Sequence, residues 1–162
     1  MRRNRGFTLV ELLMVVAIIG ILAAIAIPNL MTAIQRAKQK KTMVNIRNMA
    51  TAWEARASDY SKYNAAGAGL GAASISVPIA DVSAILVPTY IRSMPLTDGW
   101  GNTISCYLDA DLKSTTSANR YVIASPGRDG VYNATQPMGA FGNFDCDIIY
   151  ANGLFLTYPT GN

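Results

Sequence analysis

The sequence predicts an α+β fold: one long N-terminal α-helix, hydrophobic in its first half and amphipathic in its second, packs on a small antiparallel β-sheet. Three observations predict it. An unbroken apolar run of sixteen residues extends from Leu12 to Ile27. Apolar residues at helical spacing follow it between Met43 and Tyr60. Short strand-like stretches and an Asn-Gly hairpin turn at 152–153 fill the C-terminal part.

Composition restricts the classes of protein. The chain has 162 residues, of which 51% are hydrophobic and 15% charged, and the charged share lies below the usual value of about 25% for soluble proteins. It contains no histidine, which excludes Ser-His-Asp triads and histidine-ligated zinc. A hydrolase with paired carboxylates is the enzymatic alternative, but no spacing singles out a pair, so we predict a non-enzymatic protein. The candidate carboxylates are Asp109, Asp111, Asp129, Asp145 and Asp147.

The net charge of +4 is distributed unevenly. Residues 1–62 carry ten of the fourteen Lys and Arg and three of the ten acids, whereas residues 63–162 carry four and seven. The basic cluster at 36–47 fits a solvated helix face near anionic lipid headgroups. DNA capture is the alternative, but no aromatic residues are interleaved with these charges, so nucleic acid is not an expected partner.

The N-terminal apolar segment is long enough to span a membrane. As a helix, residues 7–34 reach roughly 42 Å, and a bilayer core is about 30 Å thick. One interpretation is a secretory signal peptide cleaved after the Ala-x-Ala pattern at 24–26, which would leave Ile27 as the first residue. A plain transmembrane anchor is another, but it leaves Glu11 unexplained, because a carboxylate within a span is costly and normally has a partner.

A third interpretation takes the sequence Gly-Phe-Thr-Leu-Val-Glu at 6–11 as one motif, which resembles the processing site of type IV pilins and type II secretion pseudopilins. The resemblance implies that a prepilin peptidase cleaves between Gly6 and Phe7, that the new Phe7 amine is methylated, and that the apolar helix is retained. It also implies that Glu11 pairs with the Phe7 amine of a neighbouring subunit, since opposite charges attract strongly in an apolar setting. The alternative for Glu11 is a position near the membrane interface.

Pro28 lies inside the apolar run. It lacks an N–H and clashes with the preceding turn, so we expect a kink or a local loss of helix near residues 24–28, in a helix used for assembly. The predicted organisation is a cleaved leader at 1–6, a hydrophobic transmembrane and assembly helix at 7–35, an amphipathic helix half at 36–62 and a globular head at 63–162.

The head is predicted from turn and strand signals. A glycine-rich stretch at 64–74 ends the long helix as a connector, and its glycines do not form a phosphate-binding loop. A short helix is expected at about 80–87. Strand-like stretches lie at about 103–109, 120–125 and 147–157, which predicts a three- or four-stranded antiparallel sheet.

Three segments of the head, at 86–91, 95–102 and 121–130, resemble the major pseudopilins of type II secretion systems. The resemblance implies a pilin-like subunit stored in the bacterial inner membrane with its head in the periplasm, and polymerised into a pseudopilus that drives protein export. Implied partners are other copies of the chain, the prepilin peptidase, the assembly platform, minor pilin-like subunits and the lipid bilayer. Gly99 departs from the family, which usually has proline there. A long tail after Tyr132 keeps a type IV pilus subunit for adhesion, motility or DNA uptake as the alternative.

Two further features concern the head. Asp129, Asp145 and Asp147 lie in and after a loop rich in oxygen ligands, and the resemblance implies a calcium site at Asp129 and Asp147, with Asp145 as a further candidate. The alternative is that these aspartates cap turns. Cys106 and Cys146 are an even number of cysteines in a part of the chain that we expect to face an oxidising compartment. Two alternatives follow, a disulfide between them or two buried free thiols.

Overall fold

The computed structural model describes residues 6–60, 75–109, 120–133 and 138–160. The chain divides into two compact units, Met1–Arg36 and Ala37–Asn162. Its elements are α1 (Leu9–Tyr60), β1 (Ile75–Val77), α2 (Ile79–Leu86), β2 (Ser105–Leu108), β3 (Tyr121–Ser125), β4 (Gly139–Phe141), β5 (Ile148–Ala151) and β6 (Leu154–Pro159).

Helix α1 is helical throughout its 52 residues, with Pro28 inside it. The helix is therefore not lost at 24–28, and the other expectation for this stretch, a kink, stays a prediction. Proline removes only one backbone donor, and the turns on either side keep their own hydrogen bonds. The Thr32 hydroxyl also donates to the Pro28 carbonyl at 3.1 Å. By length and composition, α1 is able to cross a membrane.

The second half of α1 carries the predicted buried stripe. Ile46, Ala50, Trp53 and Ala57 are completely buried, at alternating steps of four and three residues. Met49 is buried as well, so the face is wider than the sequence pattern predicted. This half of α1 supplies one side of the core of the second unit.

The sheet has six strands in the order β1-β2-β3-β5-β6-β4. All neighbours are antiparallel except β4 and β6, which are parallel. The prediction of three or four strands missed β1 and β4, because strands of three residues are too short to show an alternating pattern. The predicted hairpin is confirmed: β5 and β6 are joined by Asn152 and Gly153, with φ of 51° and 89°, as a two-residue hairpin turn of this kind requires.

The predicted short helix is confirmed as α2, which buries Val82 and Leu86. It ends at Val87, whose extended backbone is the conformation favoured before a proline.

Aromatic rings join α1 to the centre of the sheet. The Trp53 and Tyr121 ring centroids are 5.5 Å apart, and Tyr150 and Phe155 continue the contact across β5 and β6. The Tyr121 hydroxyl donates to Glu54 of α1 at 2.5 Å. The helix and the sheet are thus joined by both packing and a hydrogen bond.

Candidate functional site

The N-terminal site is built around a helix cap. The backbone N–H and the hydroxyl of Thr8 donate to Glu11 Oε2 at 2.9 and 2.8 Å, and the Glu11 N–H donates back to Thr8 Oγ1 at 3.2 Å. This reciprocal pair is a capping box, and it explains why α1 begins at Leu9. The capping role of Thr8 was not predicted, although the Thr-x-x-Glu spacing before an apolar run signals it.

Gly6 and Phe7 precede the helix. Neither has regular secondary structure, and the Phe7 side chain is 74% exposed, so the bond between them lies outside the hydrogen-bonded helix. A Cβ added at Gly6 would meet no atom within 4 Å. The fold of the chain therefore does not require glycine at this position, and any requirement for it comes from outside the chain.

The apolar surface of the first unit is extensive. Every large hydrophobic side chain from Phe7 to Ile34 is exposed, by between 41% and 74%. Glu11 is the single charged residue in this stretch. An apolar surface of this size is found where a protein meets lipid or another protein.

In the second unit, a polar network centres on Asp98, which is buried. Its Oδ1 accepts from the backbone N–H groups of Trp100 and Asn102, both at 2.8 Å. Its Oδ2 accepts from the Ser125 hydroxyl at 2.8 Å. The Asn102 amide donates to the Gly127 carbonyl at 2.6 Å, so the network fixes the turn at 98–102 to the end of β3.

The unexpected glycine at 99 has a structural reason. The Gly99 N–H donates to the buried Thr42 hydroxyl at 2.8 Å, and a Cβ at this position would collide with the Lys38 carbonyl. Proline has no N–H to donate and carries a Cβ. In this chain, the close approach to α1 requires glycine.

The three candidate calcium ligands have different surroundings. Both carboxylate oxygens of Asp145 are held by the Arg128 guanidinium, at 2.6 and 2.7 Å. Asp129 accepts from the Val131 N–H at 3.1 Å, and Asp147 accepts from the Asn133 N–H at 2.8 Å. Only the Asp129 contact, to the N–H two residues later, is the local turn cap of the alternative interpretation, because the partners of Asp145 and Asp147 are distant in sequence.

The electrostatics separate Asp145 from the other two. The Arg128 guanidinium beside Asp145 holds the pKa of that carboxyl below its usual range. Burial raises the pKa of Asp147, and the like charge of Asp129 raises it further, so these two carboxylates lie within electrostatic reach of each other. Within the described parts of the chain, no three acidic, cysteine or histidine side chains come together to hold a metal ion. Calcium binding at Asp129 and Asp147 stays a prediction: carboxylate oxygens are the donors that calcium prefers, whereas both oxygens of Asp145 already accept from Arg128.

Both cysteines are free thiols in the structure, which agrees with the second of the two alternatives, although only Cys106 is buried and Cys146 is half-buried. Cys106 lies on β2, opposite Ile123 of β3. Cys146 lies near Gly127, which follows the C-terminal end of β3, and it is on the β5 side of β3, away from β2. The two cysteines are thus roughly 13 Å apart along the strand direction and roughly 10 Å apart across the sheet. The Cα atoms of a disulfide are at most about 7 Å apart. Burial raises the pKa of Cys106 to about 12, which keeps this thiol protonated.

Comparisons with known proteins agree with both parts of the molecule. Residues 1–27 match the family model for the prokaryotic N-terminal methylation motif. The type II secretion system core protein G of Klebsiella pneumoniae is 34% identical over 141 residues, which cover 86% of this chain and 95% of that protein. The core protein G of Vibrio cholerae is 32% identical over 130 residues, covering 80% and 86%.

A pilus subunit matches over a shorter stretch. The type IV major pilin PilA of Myxococcus xanthus is 52% identical over 62 residues, which cover 38% of this chain and 28% of that protein. No solved structure matches the chain.

A methylation motif, a long apolar helix and an α+β unit built on its second half define a type IV pilin-like protein, a class of structural subunits and not of enzymes. Within that class, the chain belongs to the type II secretion system core protein G family, the major pseudopilins. The pseudopilin prediction is thereby confirmed. The pilus subunit matches 38% of this chain, whereas the core protein G of Klebsiella pneumoniae matches 86%.

Proposed function

We propose that the chain is made as a single-pass precursor in the bacterial inner membrane, with its head in the periplasm. A prepilin peptidase cleaves it between Gly6 and Phe7, and Phe7 is methylated. The assembly platform and minor pilin-like subunits then build it into a periplasmic pseudopilus that drives protein export. The observation that carries the proposal is the apolar surface from Phe7 to Ile34, which is exposed on every side and carries one carboxylate at its start.

This surface needs two successive environments. Lipid covers it in the precursor, and the same helix of other copies covers it in the filament, where close packing and specific contacts replace lipid contacts. Removal of residues 1–6 leaves eleven basic and ten acidic residues, so the net charge falls from +4 to +1. A nearly neutral mature subunit suits the close packing of many copies.

Glu11 gives the assembly its register in this proposal. Both hydrogen bonds donated by Thr8 go to Oε2, so Oε1 can accept from the Phe7 amine of a neighbouring copy. A carboxylate and an ammonium group in an apolar environment attract strongly, and an unpaired charge there is costly. Pro28 belongs to the same proposal, because it leaves the carbonyl of Ala24 without its helical donor and lets packed helices bend there.

The test is filament assembly by Glu11→Ala and Glu11→Gln in a strain that expresses the export system. Both variants should accumulate in the membrane with an unchanged melting temperature and yield almost no filaments. Glutamine keeps an acceptor for Thr8 and loses the charge, so it separates capping from pairing. Asp59→Ala, which removes an exposed carboxylate from the last turn of α1, is the control and should assemble normally. Normal filament yield from Glu11→Gln would refute the proposed role of the charge.

We also propose that the head binds calcium at Asp129 and Asp147. Burial and the like charge of Asp129 raise the pKa of Asp147, and a bound cation would supply the charge that offsets both. Calcium should raise the melting temperature of the wild-type chain, and Asp129→Ala should abolish the rise. An equal melting temperature in excess calcium and in EDTA would refute the site.

A further inference from the structure

Arg128 makes more contacts to the segment at 144–145 than its ion pair alone. Its Nε and Nη2 donate to Asp145 Oδ1 and Oδ2 at 2.6 and 2.7 Å, which is a bidentate pair. Its backbone N–H donates to the Phe144 carbonyl at 3.0 Å. Its guanidinium carbon also lies 5.9 Å from the centre of the Phe144 ring. One residue thus ties the turn after β3 to the segment before β5.

The backbones of these two segments are in direct contact at the same place. Gly127 has a φ of 72°, and a Cβ there would lie 2.6 Å from the Cys146 carbonyl oxygen and 3.1 Å from that of Phe144. Such an approach places Asp145 and Asp147 close to the turn that carries Asp129. Three carboxylates therefore lie around two backbone segments that are in direct contact.

Arg128 places a positive charge beside two of these carboxylates. Its guanidinium contacts Asp145 at 2.6 Å, and it is the chain neighbour of Asp129, one of the proposed calcium ligands. A fixed positive charge beside a cation site lowers the affinity of that site, because like charges repel.

We propose that Arg128 is the resident counter-cation of this cluster: its pair with Asp145 holds segment 144–147 against turn 126–130 without a metal ion, and its charge weakens calcium binding at Asp129 and Asp147. The first half stands on the contacts of Arg128 alone. The second half rests on the proposed calcium site.

The experiment uses the full chain purified in detergent, with three variants. Arg128→Gln removes the charge and the bidentate pair, Arg128→Lys keeps the charge without the fork, and Arg92→Gln removes an exposed arginine elsewhere as the control. Melting is followed through the fluorescence of Trp53 and Trp100, both in the second unit, in EDTA and across a calcium titration.

Arg128→Gln should melt below the wild type and below Arg92→Gln in EDTA, and calcium should restore most of the difference. Its calcium Kd should be lower than that of the wild type by about fivefold, the factor that corresponds to about 1 kcal/mol. Arg128→Lys should keep the weak calcium binding of the wild type, because the charge remains. A purely structural role for Arg128 would not move the calcium Kd in this way.

Other outcomes decide between the two proposals. If Arg128→Gln and Arg92→Gln have the same melting temperature in EDTA, Arg128 does not hold the segment and the inference is overturned. A different result is a lower melting temperature for Arg128→Gln in EDTA, with no change of melting temperature in calcium for any chain. The holding role of Arg128 then stands and the calcium site is refuted. If calcium binds the wild type and Arg128→Gln equally well, the effect of Arg128 on affinity is refuted while the calcium site survives.

Discussion

The two units of this chain use one helix in opposite ways. Between Phe7 and Ile34 every large apolar side chain of the first unit is exposed. In the second unit, Ile46, Met49 and Trp53 of the same helix are completely buried against the sheet. Both stretches are apolar, but only the second finds its packing partner within its own chain.

This difference separates what folds the subunit from what joins subunits. The buried stripe is one-sided because a sheet covers one face of the helix. The exposed stretch is apolar on all sides, as expected of a segment surrounded by lipid or by other helices. The second unit therefore carries the stability of the isolated chain, and the first unit offers the surface that the proposed assembly uses.

The largest expected effect comes from truncating a core residue in the second unit. Trp53→Ala removes a completely buried indole and should destabilise the chain by about 3–5 kcal/mol. Ile19→Ala truncates a side chain that is 58% exposed in the first unit and should leave unfolding unchanged. Urea unfolding of both variants in detergent measures the comparison. Equal destabilisation by the two would show that the units do not divide the work as described.

A pair of glycine substitutions gives a smaller effect of the same kind. Gly99→Ala places a Cβ against the Lys38 carbonyl, which is backbone and cannot move aside, so we expect a loss of about 1–3 kcal/mol. Gly20→Ala meets no atom within 4 Å and should not destabilise the monomer. The shift of the urea midpoint tests both. A Gly99→Ala chain as stable as the wild type would mean that the turn at 98–102 does not lie this close to α1.

The smallest effect is a dependence of stability on pH that belongs to the second unit. The pKa of Asp145 is lowered in the fold from 3.8, so its contribution is complete above that pH and is lost as the pH falls through the folded value. The pKa of Asp147 is raised, so its ionisation disfavours the fold, and that penalty disappears as the pH falls towards 3.8. The two carboxyls thus act in opposite directions.

In EDTA, Asp145→Asn should lose less stability than the wild type when the pH falls below 3.8. Asp147→Asn should lose more stability than the wild type when the pH falls from 7 to 3.8. The Asp145 difference should be no more than about 1 kcal/mol, because this carboxyl is near the surface. Asp147 is buried, so its difference should be the larger of the two. Urea midpoints at pH 7, 4 and 3 provide the measurement. The same pH profile in all three chains would contradict the assigned surroundings of these carboxyls.

Much of the fold could be predicted because its main elements repeat. The helix, the buried stripe from Ile46 to Ala57 and the Asn152-Gly153 hairpin each have a periodic or turn-specific signal. Strands β1 and β4 have three residues each, which is too few for any period to appear.

The sites divide in a similar way. Residues 6–11 are contiguous, so the motif could be recognised in the sequence. Arg128 and Asp145 are seventeen residues apart and meet only because the sheet brings two turns together. The two alternatives for Cys106 and Cys146 could not be separated from the sequence for the same reason, since counting cysteines does not show how far apart the fold places them.

The mature N-terminus of the chain tests the central claim most directly. Intact-mass and N-terminal peptide analysis of the protein purified from a strain with the export system should find a chain that begins at Phe7 and carries one added methyl group on its amine. That result would place the whole apolar helix in the mature subunit. A chain that begins at Ile27 would show that the apolar segment is removed as a signal peptide and would contradict assembly through it.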